Sequence, residues 1–213
     1  MRPNPRAVAA RKEPEMADSR TSLLEAIAKQ FNNPDFADVK IYIGAYELPA
    51  HSLVLASQSP FFQKALNSNF REGKDKKFHF TEGSAHAHWR VFEYMYTGDY
   101  TEEPAQVLDA QDDDELVKNL RVYVTAEYFM LDGLKKLALE RFESKLGVDL
   151  GDEFVDCIRE VYAHTTASES ELRRAVVNTA SSYRHELWEV AAFRDLARDG
   201  GDFVVDLMGD LLA

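Results

Sequence analysis

Two different hydrophobic periodicities divide this chain of 213 residues. Between Val39 and Leu48, apolar side chains alternate with polar ones, which is the pattern of a strand with one buried face. From Leu116 onward, apolar residues recur at every third or fourth position, which is the period of an amphipathic helix. This change of period predicts an α+β front part, built on a small sheet, followed by an all-α rear part.

Three short strands are predicted in the front part. The first runs through Val39 to Ile43, and Gly44-Ala45 supplies a two-residue turn with glycine at the position that needs positive φ. A return strand follows at Tyr46 to Leu48, and Phe78 to Phe80 form the third strand. Residue types that cap or stop helices mark the helix ends between and around these strands. They are Asp18 or Ser19, Ser59 and Ser84 at the starts, and Asn32-Asn33-Pro34 and Gly98 at the ends.

Two segments contain little that a core can bury. Residues 1–17 hold three of the seven prolines and are predicted to be a disordered tail, followed by a domain of residues 18–147 and a helical part of residues 148–213. Residues 99–115 carry eight acidic residues and no basic one. They lack the spacing and the central glycine of a calcium-binding EF-hand loop, so we predict a solvated insert whose charges repel one another.

The composition narrows the classes of function. With 25 basic and 37 acidic residues the net charge is −12, which argues against broad binding to nucleic acid or anionic membranes. No apolar run approaches the ~18 residues of a membrane span, and no apolar stretch of a secretory signal follows the N-terminal arginines. The single cysteine, Cys157, excludes an intrachain disulfide and fits a reducing compartment. We therefore expect the protein in the cytoplasm, the nucleus or both.

No catalytic motif is present in the sequence. A P-loop, GxGxxG and GxSxG are all absent, and His185-Glu186 begins like HExxH but has Glu189 where the second histidine is required. His86 and His88 are two apart on a predicted helix, so their rings point to different faces and are unsuited to a shared metal. Cys157 lies on an apolar helix face, where a thiol is inert. The sequence therefore predicts no catalytic, metal or cofactor site, and binding remains as the function.

The segment from about Asp38 to Tyr100 resembles a BTB (POZ) domain. The residues that carry the resemblance are Ala37-Asp38-Val39, Ala50-His51 with Val54-Leu55-Ala56, Ser59-Pro60-Phe61-Phe62, and Tyr94-Met95-Tyr96-Thr97-Gly98-Asp99-Tyr100. With the leading and closing helices it spans about Leu23 to Leu146. The YTGDY ending and the acidic insert resemble the short BTB proteins of filamentous fungi, and the rear part loosely resembles their C-terminal extensions.

The resemblance implies structural roles for the motif residues Asp38, His51, Ser59, Phe62, Tyr96, Gly98 and Tyr100. Asp38 lies between a turn and a strand, where a carboxylate accepts structural hydrogen bonds. His51 lies at a junction between strand and helix, where an imidazole can satisfy free backbone groups.

BTB domains are protein-interaction modules, and the resemblance implies a substrate adaptor for a cullin-type ubiquitin ligase. Such adaptors commonly present a hydrophobic-x-Glu motif just before the third strand, where this chain has Phe70-Arg71-Glu72. In this interpretation Phe70 is the anchor in a groove of the cullin, and Glu72 pairs with a basic group at its rim. The alternative is that Phe70 closes the edge of the domain's own core. The substrate would be bound by the rear helices or by the acidic insert.

Two other BTB functions stay open. Transcriptional BTB domains that bind corepressors combine the aspartate, here Asp38, with a basic residue directly after the histidine, but this chain has Ser52 there and cannot build a cysteine-based zinc finger. BTB scaffolds often homodimerise through the first helix, so self-association is the other alternative. Its predicted face consists of Leu23, Leu24, Ile27 and Phe31, which can equally pack on their own domain.

Overall fold

The structure is a computed structural model that describes residues 14–67, 71–165 and 171–213, with the side chains of these residues except those of 14–20, 71 and 72. Its elements are α1 (Pro14–Ala28), β1 (Val39–Ile43), β2 (Tyr46–Ala50), α2 (Ser52–Gln58), α3 (Pro60–Asn67), α4 (Arg71–Asp75), β3 (Lys77–Phe80), α5 (Ala85–Thr97), α6 (Glu115–Tyr128), α7 (Asp132–Lys145), α8 (Asp152–His164), α9 (Glu171–Ser182), α10 (Arg184–Glu189), α11 (Ala191–Asp199) and α12 (Asp202–Leu212). The three strands precede a rear part whose described elements are all helices, so the predicted α+β class is confirmed.

The strands form one sheet in the order β2-β1-β3. β1 and β2 are an antiparallel hairpin in which Ile43 lies opposite Tyr46, and Gly44 in the turn has a φ of 58°. This φ favours glycine, so the predicted turn is confirmed. β3 runs parallel to β1, with Phe78 opposite Ile41. A parallel pair needs a crossover, and α2, α3 and α4 provide it.

Phe129, directly after α6, is the centre of an aromatic cluster. Its fully buried ring is stacked on Phe62 with the centroids 5.3 Å apart, and it lies 5.2 Å from Phe80 and 5.7 Å from Phe92. Such pairs contribute ~0.5–1.5 kcal/mol each beyond the area they bury. Ser59 also donates a hydrogen bond of 2.7 Å from its hydroxyl to the Phe129 carbonyl. These contacts fix the turn after α6 against the start of α3.

The predicted ends of α5 are confirmed, whereas the predicted start of α1 is wrong. The Ser84 hydroxyl accepts a hydrogen bond from the backbone N–H three residues later at 2.9 Å, and Gly98 ends α5 with a φ of 77°. α1 begins at Pro14, so Asp18 and Ser19 lie inside the helix instead of capping it. The part of the predicted tail before Pro14 lies outside the described residues. α4 was not expected from the sequence, because its five residues REGKD show no apolar period.

The acidic insert, residues 99–115, is tied to the domain by ion pairs. Arg90 of α5 is 1% exposed, and its Nη2 donates to Asp112 Oδ2 at 2.7 Å and to the Glu102 carbonyl at 2.9 Å. A buried guanidinium needs a charge partner, because leaving water costs an unpaired ion several kcal/mol. The prediction of a solvated, self-repelling loop is therefore wrong for the two ends of the insert, at Glu102 and at Asp112.

The same insert is linked to the rear part through Arg121 of α6. Its Nη1 donates to Asp113 Oδ1 at 2.5 Å, and its Nε donates to Glu160 Oε1 of α8 at 2.6 Å. These hydrogen bonds, the one to Glu160 first, raise the pKa of the Arg121 guanidinium. Asp113 also accepts a hydrogen bond of 2.5 Å from the Ser84 hydroxyl. One side chain thus joins the insert, the domain and the first rear helix.

The rear helices bury their own apolar faces. Cys157 of α8 is fully buried, and burial raises the pKa of its thiol to about 12, so the expected inert cysteine is what the structure contains. α10 and α11 are separate helices, because Val190 between them is extended, with φ −79° and ψ 122°. Among the described residues, no helix has the length and apolarity needed to cross a membrane.

Candidate interaction surfaces

The residues of the predicted cullin contact follow α3 in the sequence and include the start of α4. Phe70 lies outside the described residues. Arg71 and Glu72 are the first two residues of α4, and their side chains also lie outside the description. The backbone places Arg71 and Glu72 between α3 and β3. Contact of Phe70, Arg71 and Glu72 with a cullin stays a prediction.

An exposed turn between α6 and α7 lies beside α3. Tyr128 and Met130 are 56% and 47% exposed, and the Tyr128 ring lies 5.0 Å from that of Phe61 on α3. We call Phe61, Tyr128 and Met130 the aromatic platform. Phe129 between the two exposed residues is buried and anchors them, so the platform needs little ordering when it binds a partner. Sequence reasoning missed it, because the helical period does not separate the exposed Tyr128 from its buried neighbour.

A groove leads from the aromatic platform to the rear helices, and we call it the α6–α8 groove. Its first part has a volume of about 430 Å³, and its walls include Phe80, Val124 and Tyr128. Its second part, of about 420 Å³, shares Val124 and is bounded by Arg121 and Glu160. The groove is therefore aromatic and apolar at one end and charged at the other. A peptide segment with an apolar residue followed by polar ones fits this order.

The face predicted on the first helix divides into two groups. Ile27 and Phe31 are half-buried, and the Phe31 ring lies 4.9 Å from that of Trp89 on α5. These two residues pack on their own domain. Leu23 and Leu24 are 62% and 65% exposed and are available to a partner. Only half of the predicted dimer face is therefore free.

Two further exposed apolar residues lie after the end of α1. Phe36 in the following turn is 93% exposed, and Leu53 on α2 is 81% exposed. His51 Nε2 is 2.9 Å from the Asp35 carbonyl oxygen, which holds this turn against the start of α2. Phe36 and Leu53 are therefore presented by neighbouring pieces of backbone. Their exposure is not visible in the sequence, because isolated exposed apolar residues form no periodic pattern.

Asp38 has a basic partner that the sequence did not indicate. It accepts hydrogen bonds from the Ser52 backbone N–H at 2.8 Å, from the Ser52 hydroxyl at 2.7 Å and from Lys76 Nζ at 2.6 Å. Burial acts to raise the Asp38 pKa, but the bonds from Lys76 and Ser52 outweigh it and lower the pKa to about 2. Lys76 thus supplies the positive charge that the sequence lacks directly after the histidine.

His51 is held by structural hydrogen bonds on both ring nitrogens. Nδ1 lies 2.9 Å from the Tyr96 hydroxyl, and Nε2 lies 2.9 Å from the Asp35 carbonyl oxygen. Asp38 is not among its described partners, so these residues form no catalytic acid–base pair. Within the described ranges, no group of three His, Cys, Asp or Glu side chains is placed to hold a metal ion.

Comparison with known proteins decides the family. The family model described as BTB/POZ domain matches residues 27–145, more than half of the chain. The chain belongs to the BTB/POZ domain family. Mouse Kelch-like protein 38 is 33% identical over 93 residues, which cover 44% of this chain and 16% of that protein. Mouse TD and POZ domain-containing protein 2 is 25% identical over 136 residues, which cover 64% of this chain and 35% of that protein. This BTB protein thus spans well under half the length of these relatives.

A solved structure of the BTB domain of zebrafish PATZ1 is similar to this chain, with 15% sequence identity and a TM-score of 0.47. The match covers 65% of this chain and the whole of that domain.

The two BTB motif tyrosines in and just after the last turn of α5 are built into the core. Tyr96 and Tyr100 are each 4% exposed. The Tyr100 hydroxyl donates to Asn119 Oδ1 at 2.6 Å, and the Arg141 guanidinium lies 4.2 Å from its ring centroid. Burial, partly offset by Arg141, raises the Tyr100 pKa to about 12. These residues hold the BTB domain together and leave binding to the exposed surfaces described above.

Proposed function

We propose that this BTB protein is a non-enzymatic substrate adaptor that binds a cullin through the aromatic platform and the α3–α4 segment. The observation that carries the proposal is the exposed Tyr128–Met130 turn, which is fixed beside the start of α3, the helix that precedes the hydrophobic-x-Glu motif in the sequence. Aromatic side chains that are exposed but held in place are the usual anchors of protein interfaces. The cytoplasm and the nucleus are the compartments we propose for this function.

The α6–α8 groove supports the same assignment. It starts at Tyr128 of the platform and reaches Glu160 of α8, so the rear part contributes to the surface that faces the cullin. A partner that covers both the platform and the groove buries more area than one that contacts the domain alone. Stable interfaces bury about 800 Å² per partner, and the exposed turn by itself is much smaller.

The test is calorimetric titration of the full chain with the N-terminal region of the BTB-binding cullin. We expect binding by the wild type, and a loss of at least about tenfold in affinity for Tyr128→Ala, because removing an anchoring aromatic costs ~1.4 kcal/mol or more. The double variant Phe70→Ala, Glu72→Ala should lose affinity as well. Trp188→Ala is the matched control, because Trp188 is also 56% exposed but lies on α10.

Each outcome is informative. An absence of binding by the wild type, with the fold intact by circular dichroism, would refute the adaptor function. Binding that Tyr128→Ala and Trp188→Ala weaken equally would refute the platform as the contact. Loss in the Phe70, Glu72 variant alone would place the cullin on the motif without the platform.

A BTB scaffold that self-associates is the second candidate. Four exposed apolar residues favour it: Leu23, Leu24, Phe36 and Leu53. Sedimentation velocity should then show a dimer that Leu24→Glu converts to a monomer. Val148→Glu, at an 83% exposed position outside these elements, should leave the dimer intact. A wild-type monomer at all concentrations would remove this candidate.

A further inference from the structure

α12 carries apolar side chains on both its inner and its outer side. Inward, Phe203 is 4% exposed and its ring lies 5.6 Å from that of Tyr162. Outward, Val205, Met208 and Leu212 are 70%, 50% and 81% exposed. These three positions are spaced i, i+3 and i+7, so they lie on one face of the helix. A helix that is apolar on both sides is normally covered on both sides.

The outer side of α12 also permits close approach of another backbone. Gly209 lies in the interior of the helix, and a Cβ built on it meets no atom within 4 Å. Glycine at such a position costs about 1 kcal/mol of helix stability relative to alanine. We call Val205, Met208, Gly209 and Leu212 the outer face of α12. The three apolar side chains protrude from this face, and Gly209 leaves a gap between them. Packed helices fit together in this way, because side chains of one helix fill the grooves of the other.

Carboxylates border this outer face along one edge. Asp202, Asp206 and Asp210 are spaced four residues apart and form one acidic row. Arg173 of α9 partners the first two, with Nη1 at 3.2 Å from Asp202 and 3.9 Å from Asp206. Asp210 is exposed, and no described residue forms an ion pair with it.

Asp206 and Asp210 of the acidic row, with Val205 and Gly209 of the outer face, form one wall of a groove of about 370 Å³ between α9 and α12. Arg173 and Arg174 lie on the α9 side of this groove. Two carboxylates thus face two guanidinium groups, and the carboxylates are on the α12 side, next to the outer face. A ligand that lies on the outer face therefore meets at this edge the carboxylate of Asp210, with which no described residue forms an ion pair.

An antiparallel pairing of two copies of this chain does not suit the outer face. In an antiparallel pair of α12 helices related by a two-fold axis, the acidic rows of both copies lie on the same side of the contact and repel each other. The net charge of −12 on each copy adds to this repulsion. An anionic membrane is equally unsuitable, because helices that lie on such membranes carry Lys and Arg beside their apolar face.

We propose that the outer face of α12 docks an amphipathic helix of a partner protein, one with Lys or Arg along one edge of its apolar stripe. This surface goes beyond the proposed cullin contact, since it shares no residue with the aromatic platform or the α6–α8 groove. The apolar stripe provides affinity and the basic edge fixes the direction of the docked helix against the acidic row.

The probe is a phage-displayed library of 20-residue helices that have leucine fixed at i, i+3, i+4 and i+7 and both edges randomised among Lys, Glu, Gln and Ser. Selection on the full chain should enrich peptides with lysine along one edge. The best peptide should lose about tenfold or more in affinity for Val205→Glu, measured by fluorescence anisotropy. Val148→Glu is the control, because it places the same substitution at another exposed valine. Circular dichroism checks that both variants are folded.

A charge swap tests the chemistry of the edge. Asp210→Lys should weaken binding of the lysine-edged peptide and shift the enrichment toward glutamate. No enrichment, enrichment without an edge preference, or equal binding to Val205→Glu would overturn the proposal. A wild-type dimer that Val205→Glu dissociates, or sedimentation with phosphatidylserine vesicles that Val205→Glu abolishes, would also overturn it by assigning the face to another occupant.

Discussion

Asp113→Asn is the sharpest test of how the acidic insert is held. Asp113 is 5% exposed, accepts hydrogen bonds from Ser84 and Arg121, and lies 3.8 Å from Nη1 of Arg90. Asparagine keeps the shape and one acceptor oxygen, so the bond from Ser84 survives the substitution. What is lost is the negative charge that faces the two guanidinium groups, together with the acceptor for Arg121 Nη1, because the amide NH2 takes the place of Oδ1.

The expected cost follows from the exposure of those two groups. Arg121 is 37% exposed, so solvent screens its pair with Asp113, and the loss there is about 0.5–1 kcal/mol. Arg90 is 1% exposed, and its Nη1 has no hydrogen-bond partner within the described part of the chain. Weaker charge compensation at this buried group costs about 1–2 kcal/mol more. We therefore expect the free energy of unfolding to fall by about 2 kcal/mol.

The assay is urea denaturation followed by circular dichroism, with Asp109→Asn as the matched control. Asp109 is exposed in the same insert and forms no ion pair with any described residue. Both variants remove one negative charge from a chain of net charge −12, so any general relief of repulsion is the same in both. The control should change stability by less than about 0.5 kcal/mol. If Asp113→Asn is as stable as Asp109→Asn, the ion pairs do not hold the insert and our reasoning fails.

Three further predictions concern the BTB domain and the rear part. Gly133→Ala should destabilise the protein, because the new Cβ would lie 2.6 Å from the Tyr94 hydroxyl oxygen. In a double-mutant cycle, Tyr94→Phe should relieve most of this loss of stability, and an equal cost of Gly133→Ala in both backgrounds would contradict the contact. The Asp38 pKa is lowered from 3.8 to about 2, so its contribution to stability is complete above pH 3.8 and is lost as the pH falls toward 2. The stability difference between wild type and Asp38→Asn should therefore shrink over that range in acid titrations, and a constant difference would argue against the bond from Lys76. The Cys157 thiol should react with a disulfide reagent at pH 8 only after unfolding, because burial raises its pKa to about 12; fast reaction of the native protein would show that α8 opens.

Local signals in the sequence were sufficient for several elements. Gly44 in the hairpin turn, Ser84 at the start of α5 and Gly98 at its end are examples. Each of these features depends only on residues within four positions of the residue named. The same holds for the class of fold, which follows from the two hydrophobic periods. Where a backbone conformation is decided by its nearest neighbours, the sequence can predict it.

Contacts between distant residues were not predictable in this way. Arg90 and Asp112 are 22 residues apart, and Asp38 and Lys76 are 38 apart. A run of acidic residues looks solvated in the sequence, because nothing in it shows which bases the fold will bring close. The aromatic platform was missed for a related reason, since exposure of Tyr128 depends on how α6 packs against α3.

The pairing of Arg121 with both Asp113 and Glu160 has a consequence for how two bound partners would meet. The bond to Glu160 fixes the orientation of α8, the first rear helix, relative to the BTB domain. When two ligands bind a protein joined by a flexible linker, their local concentration falls as the linker lengthens. In this molecule the spacing between a ligand on α12 and one on the aromatic platform is set by packed helices and does not depend on linker length. A glycine–serine linker inserted after Gly147 would therefore leave each binding surface intact but remove the fixed spacing between the two bound ligands.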